Sequence, residues 1–155
     1  MRTFLSLDHG AKMLLIEAFL LRVSIGAGFR LLGVIRTQAL LRRWAGRNMP
    51  PMRPDPQSAV RAARSAQRLV RRTLGFGESC LVRSLGLWAM LLRRGLHTEL
   101  RVGFRCQPEG LSGHAWLEYD GVAINEEESV TRTYCVHEGP VSFDQRRAGG
   151  RKRIR

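Results

Sequence analysis

The sequence predicts an α+β fold, with helices first and a small antiparallel sheet after them. Apolar residues recur at helical spacing up to Arg94, the period changes to alternation after Gly95, and turn signals such as Asp120-Gly121 follow. The 155 residues suit one domain, and an apolar share of 44% suffices for an ordinary core. Within residues 1–155 the composition marks a helical N-terminal extension over about 1–47, a core over 55–144 and a basic, flexible tail over 145–155.

Lys12 to about Trp44 reads as one or two helices, with a break near Gly26-Ala27-Gly28. Asn48–Pro56 holds four prolines and reads as a loop. Asp55-Pro56 then supplies an N-cap and a proline at the first helical position. Apolar residues at 59, 62, 63, 66, 69 and 70 form one face of that helix, and Arg61, Arg64, Arg68, Arg71 and Arg72 take the other; it ends near Gly75-Phe76-Gly77. A third helix runs from about Cys80 to Arg94, capped by Ser79 and followed by Gly95, with Arg93-Arg94 at the negative end of its dipole. Its body is apolar nearly all round except for Arg83 and Ser84, so most of its sides are buried and its N-terminus is held rigidly.

Glu99–Arg105 alternates as a strand, with Leu100, Val102 and Phe104 on one face. Gly113–Glu118 and Val122–Glu127 form a hairpin about Asp120-Gly121, and Tyr134–Val136 and Pro140–Phe143 add a short strand or two. The chain shows no internal repeat.

Composition narrows the function classes. Cysteines 80, 106 and 135, odd in number and without Cys-x-x-Cys spacing, exclude a disulfide framework and a zinc cluster and fit a cytoplasmic, reducing setting. There is no metal-ligand spacing and no phosphate-binding glycine loop, so no cofactor is expected. Met1–Gly10 lacks a secretory pattern, and Glu17, Arg22, Arg30 and Arg36 interrupt Leu14–Leu41, which excludes a spanning helix but allows peripheral contact with a surface. The formal charge of +13 is carried almost wholly by arginine, Lys12 and Lys152 being the only lysines. Such a charge attracts nucleic acid, acidic peptide or anionic lipid alike, and it also serves solubility alone.

The chemistry centres on Cys80. At the first turn of a buried helix, unpaired N–H groups and the positive dipole end favour an anion, and the same N–H groups, including that of Cys80, suit an oxyanion. Standing alone, such a cysteine reads as a small core residue. His114, however, opens the strand His-Ala-Trp-Leu-Glu on the face it shares with Trp116 and Glu118, and a strand packed across the helix N-terminus supplies a base. His9, His97 and His137 read as surface residues. The third member depends on hairpin register. In a two-residue turn Tyr119 pairs with Val122, and His114 faces Glu127 with Asn125 nearby. In a three-residue loop Glu118 pairs with Val122, and Glu126 lies opposite His114. Glu126 orients an imidazole through charge; Asn125 does so without it.

Cys-Leu-Val-Arg-Ser-Leu-Gly-Leu-Trp from Cys80, Leu-Leu-Arg-Arg-Gly-Leu to Leu96, Leu-Arg-Val-Gly-Phe-Arg from Leu100, and His-Ala-Trp-Leu-Glu from His114 form a series. The series resembles the leader peptidases of lasso-peptide biosynthesis, whose fold is transglutaminase-like and papain-related. The resemblance spans about Phe76–Glu126, extends weakly to Lys12–Trp44, and finds no motif after Ser129. It implies a cysteine peptidase that cuts leader from core in a ribosomally made precursor, whose core then passes to an ATP-dependent lasso cyclase. Cys80 and His114 match the family's nucleophile and base. Glu126 falls where the family usually has aspartate, the placement given by the three-residue loop; its longer side chain must fold back to reach the imidazole. Some members carry a fused winged-helix leader-binding domain. The residues before Gly46 read as helices without its strands, so the resemblance is to the split form, with a separate leader-recognition protein as partner. The closest rival is a transglutaminase or other amide-forming acyltransferase using the same site. A non-catalytic basic binding domain ranks behind both, since it leaves Cys80 and His114 without a purpose, and no nucleic-acid partner is expected.

Overall fold

A computed structural model describes residues 8–46, 55–74, 79–108, 110–127 and 129–136. Four helices precede the sheet: α1 (His9–Leu31), α2 (Gly33–Gly46), α3 (Pro56–Leu74) and α4 (Cys80–Leu92). Then come β1 (Glu99–Gln107), β2 (Gly110–Tyr119), β3 (Val122–Ala123), a short α5 (Val130–Thr133) and β4 (Cys135–Val136). The architecture is α+β, as the change of period predicts.

Asp8 caps α1 by accepting the Ala11 N–H at 3.0 Å, and Asp55 caps α3 by accepting the Ser58 N–H at 2.8 Å. The break between the first two helices is at Leu32-Gly33, not at the expected Gly26–Gly28. Gly33 takes a left-handed φ of 78°, which ends α1 and starts α2. Gly28 serves a different purpose: a Cβ there would lie 2.7 Å from the Thr37 hydroxyl, so its missing side chain lets the two helices pack closely.

Helix α4 is the centre of the molecule, with every residue from Ser84 to Leu92 buried. It forms one apolar cluster with α1, α2, α3, Leu96 and Leu117 of β2. Glu17 of α1 reaches the end of α4, bonding Arg94 at 2.6 Å and lying 3.4 Å from Arg93. Trp44 of α2 stacks under Arg93 at 4.3 Å. The extension expected over 1–47 thus packs directly on α4 through its described residues. Among those residues no helix is long and apolar enough to cross a membrane.

The sheet has the order β3-β2-β1-β4, with every neighbouring pair antiparallel. Both central strands are longer than expected, since β1 and β2 zip from Glu99↔Glu118 to Gln107↔Gly110. Of the expected apolar row on β1, Leu100 packs on the core, whereas Phe104 near the far end is exposed. Leu117 faces the helical cluster; Trp116, on the opposite face, is fully buried over Gly103.

The hairpin corrects the expected register. Tyr119 pairs with Val122 and Glu118 with Ala123, a two-residue turn in which Asp120 (φ 49°) and Gly121 (φ 76°) are both left-handed. The three-residue loop is therefore absent, and β3 stops at Ala123 rather than running to Glu127. A short helix, α5, precedes β4 where only a strand was expected. Pro140–Phe143, His137 and the tail over 145–155 lie outside the described residues.

Candidate active site

Cys80 is the first residue of α4. Ser79 fixes this end: its hydroxyl accepts the Val82 N–H at 3.2 Å, and its carbonyl accepts the Arg83 N–H at 3.2 Å. The N–H groups of Cys80 and Leu81 have no partner among the described residues, the usual state of the first helical turn. Cys80 is half-buried, whereas Cys106 and Cys135 are exposed; all three are free thiols. The site therefore offers a sulfur against two unpaired backbone donors at the positive end of a buried helix.

His114 stands on β2, half-buried and stacked on Tyr134 (centroids 5.2 Å apart) and Trp116 (6.4 Å apart). Trp116 is itself oriented, donating its indole N–H to Glu118 at 2.9 Å, and Glu118 in turn accepts from Arg101 at 3.0 Å. Burial holds the His114 imidazole below the ordinary histidine value, and the Arg83 guanidinium adds to that push. His9 and His97 are exposed.

Glu126 lies next to His114, with Oε1 at 3.5 Å from Nε2. The same oxygen is bonded by Arg83, one turn beyond Cys80 on α4. Strict continuation of the hairpin would have set Glu127 opposite His114. Glu126 arrives there because the ladder's last bond, from the Ile124 N–H to the Leu117 carbonyl at 2.9 Å, is followed by a bend through 124–126. Glu127 is exposed.

Asn125 is committed elsewhere. Its side-chain oxygen accepts the Leu117 N–H at 2.7 Å, taking up a strand donor, and its nitrogen donates to Ser84 Oγ at 2.9 Å. Ser84 Oγ donates onward to the Ala115 carbonyl at 2.9 Å. This relay joins α4, one turn beyond Cys80, to β2, one residue beyond His114. Two links thus cross the α4–β2 junction: Ser84 to Ala115, and Arg83 through Glu126 to His114.

Sequence reasoning missed Arg83, Ser84 and Tyr134 as parts of the site. A signal existed for the first two, since they are the polar exceptions in an otherwise apolar helix. Tyr134 carries no signal; it reaches His114 because β4 returns antiparallel beside β1.

Cys80 stands at the capped terminus of α4, His114 on β2 and Glu126 in the bend after β3. Among the described residues Glu126 contacts His114 and Cys80 makes no hydrogen bond to it, and these residue types are those that acyl transfer uses. A family model described as the transglutaminase-like superfamily matches residues 19–137. Comparison with curated proteins and with solved structures returns no match.

Proposed function

The chain belongs to the transglutaminase-like superfamily, and on that premise we propose that it is a cysteine peptidase removing the leader from a ribosomally made lasso-peptide precursor. It carries a domain of the cysteine peptidase and acyltransferase type. The finer reading rests on the resemblance of the Cys80, Leu100 and His114 segments to lasso leader peptidases. Residues 1–155 act as one catalytic domain in this reading, in the reducing cytoplasm. A separate winged-helix leader-recognition protein presents the precursor and an ATP-dependent cyclase receives the core.

The observation that carries the proposal is the link from Arg83, one turn beyond Cys80, through Glu126 to His114. In the mechanism, Nε2–H of His114 points to Glu126, which leaves the Nδ1 lone pair to accept the Cys80 proton. The sulfur attacks the scissile carbonyl, and the Cys80 and Leu81 N–H groups hold the oxyanion. His114 returns the proton to the leaving amine as the C–N bond breaks. Water, deprotonated by His114, then cleaves the thioester and frees the leader as an acid. The 3.5 Å separation from Glu126 must close by about 0.5 Å for a full hydrogen bond, a tightening common when substrate binds.

Incubating the chain with a lasso precursor and its leader-binding protein, then weighing the fragments, tests this reading. Hydrolysis adds one water across the cut bond, whereas an acyltransferase adds the mass of the amine. Cys80→Ala should abolish cleavage with the thermal midpoint preserved. Full cleavage by that variant would reject Cys80 as nucleophile.

A further inference from the structure

Arginine dominates the surface where α3 meets the first half of α4. Arg64, Gln67, Arg68 and Arg71 of α3, with Arg83 of α4 and Asn125, line a pocket of about 160 Å³. Four guanidinium groups around so small a space repel one another. Among the described residues, anions offset little of this. Glu126 bonds Arg83, but among the described residues no carboxylate pairs with Arg64, Arg68 or Arg71. Among the described residues, Arg68 donates to the neutral Ser65 hydroxyl, at 3.2 Å. In addition, Nε of Arg83 is buried without a hydrogen-bond partner. Buried donors of this kind are rare without a protein, water or ligand partner.

We propose that this pocket is the subsite for an acidic side chain of the peptide substrate. The inference rests on the peptidase reading above and adds a specificity to it. A guanidinium fork matches a carboxylate in two parallel hydrogen bonds, and the volume, equal to about five waters, holds a carboxylate with its stem. Side chains three apart on a helix are neighbours, with Cβ atoms about 5–6 Å apart. A carboxylate at Arg83 therefore sits within a few residues of the bond that Cys80 attacks. Occupancy also has a consequence for the base. An incoming carboxylate competes with Glu126 for Arg83, which frees Glu126 to close on His114. Recognition of the acidic residue and orientation of the imidazole become one event.

The test uses the full chain carrying Cys80→Ala, so that peptide stays intact, and titrates it calorimetrically with a capped hexapeptide of alternating Glu and Gly. The Gln-Gly counterpart should bind roughly tenfold more weakly. The double variant R64Q/R71Q should lose about tenfold for the Glu peptide, and R64K/R71K, which keeps the charge without the fork, should fall between it and the wild type. R61Q/R72Q removes the same charge from the same helix outside the pocket, and should stay within about twofold. Equal losses in the two glutamine variants, equal binding of both peptides, or tighter binding of a single-stranded oligonucleotide with a steep salt slope would each overturn the proposal. Because binding is read without turnover, the two readings fail separately. An uncleaved precursor with these affinities intact removes the peptidase and keeps an acidic-peptide pocket. Cleavage without a Glu preference removes the subsite alone.

Discussion

Replacing Asn125 by alanine removes two hydrogen bonds at once, and their surroundings set the size of the effect. Leu117 is fully buried, and its N–H has the Asn125 side-chain oxygen at 2.7 Å as acceptor. Left unsatisfied, a buried backbone donor costs about 1–3 kcal/mol. Ser84 Oγ still donates to Ala115, so it loses only the bond accepted from Asn125, worth about 0.5–1.5 kcal/mol. The sum is roughly 2–4 kcal/mol, or a fall of roughly 5–15 °C in thermal midpoint for a chain of this size. Circular dichroism on heating, paired with urea unfolding, measures it; the urea midpoint should fall with an unchanged slope. Asn125→Asp keeps an acceptor for Leu117 and should lose less. Glu126→Gln touches no backbone bond, so its stability should stay within about 1 kcal/mol of the wild type while hydrolysis drops at least tenfold. A wild-type midpoint in Asn125→Ala, combined with lost hydrolysis, would refute this division and make Asn125 the group that orients His114.

The remaining expectations concern His114 and its neighbours. Burial first and Arg83 second hold its folded-state value below the ordinary one, so the acidic limb of kcat/KM should lie below the usual histidine range. Arg83→Gln removes the second push and releases Glu126, and should move that limb to higher pH; a limb that moves down contradicts the arrangement. The same depression has a sign for stability. As pH falls the unfolded imidazole binds its proton first, so the contribution is complete above the ordinary histidine value and lost as pH drops through the lower folded one. A His114→Ala variant should lack that component in urea titrations across the window. Gly103→Ala places a Cβ 2.8 Å from both the Trp116 ring and Tyr134 Cβ. The stack on His114 should shift, lowering kcat more than about tenfold while the fold survives at a cost of roughly 1–3 kcal/mol; unchanged kcat would show that the stack does not position the imidazole.

Where local signals agreed, the fold was legible. Helix α4 announced itself through the Ser79 cap, the apolar run and Gly95, and it is buried from Ser84 to Leu92. The α1–α2 break was misplaced because a glycine in a helix has two uses that look alike in sequence. Gly28 removes a side chain where Thr37 presses close, and Gly33 supplies the left-handed turn. Only the packed partner tells them apart. The family resemblance favoured a three-residue loop at the hairpin, whereas Asp120-Gly121 is itself the pair that a two-residue turn asks for.

The third side chain of the candidate site illustrates a deeper reason for partial legibility. Asn125, Glu126, Glu127 and Glu128 offer four polar residues in a row, so a slip of one residue exchanges one carboxylate for another and the pattern cannot choose. What decides is a bond that no strand template contains. Asn125 substitutes its side-chain oxygen for a strand acceptor at Leu117 and ties itself to Ser84, which ends the ladder and bends the chain. Glu126 is then delivered to His114 from outside the sheet, where Arg83 also meets it. The two polar interruptions of α4 are therefore the positions to read first. Ser84 and Arg83 sit in a helix otherwise built for burial, and there a polar side chain is costly unless something bonds it. Their partners, Ala115, Asn125 and Glu126, all cluster around the strand that carries His114.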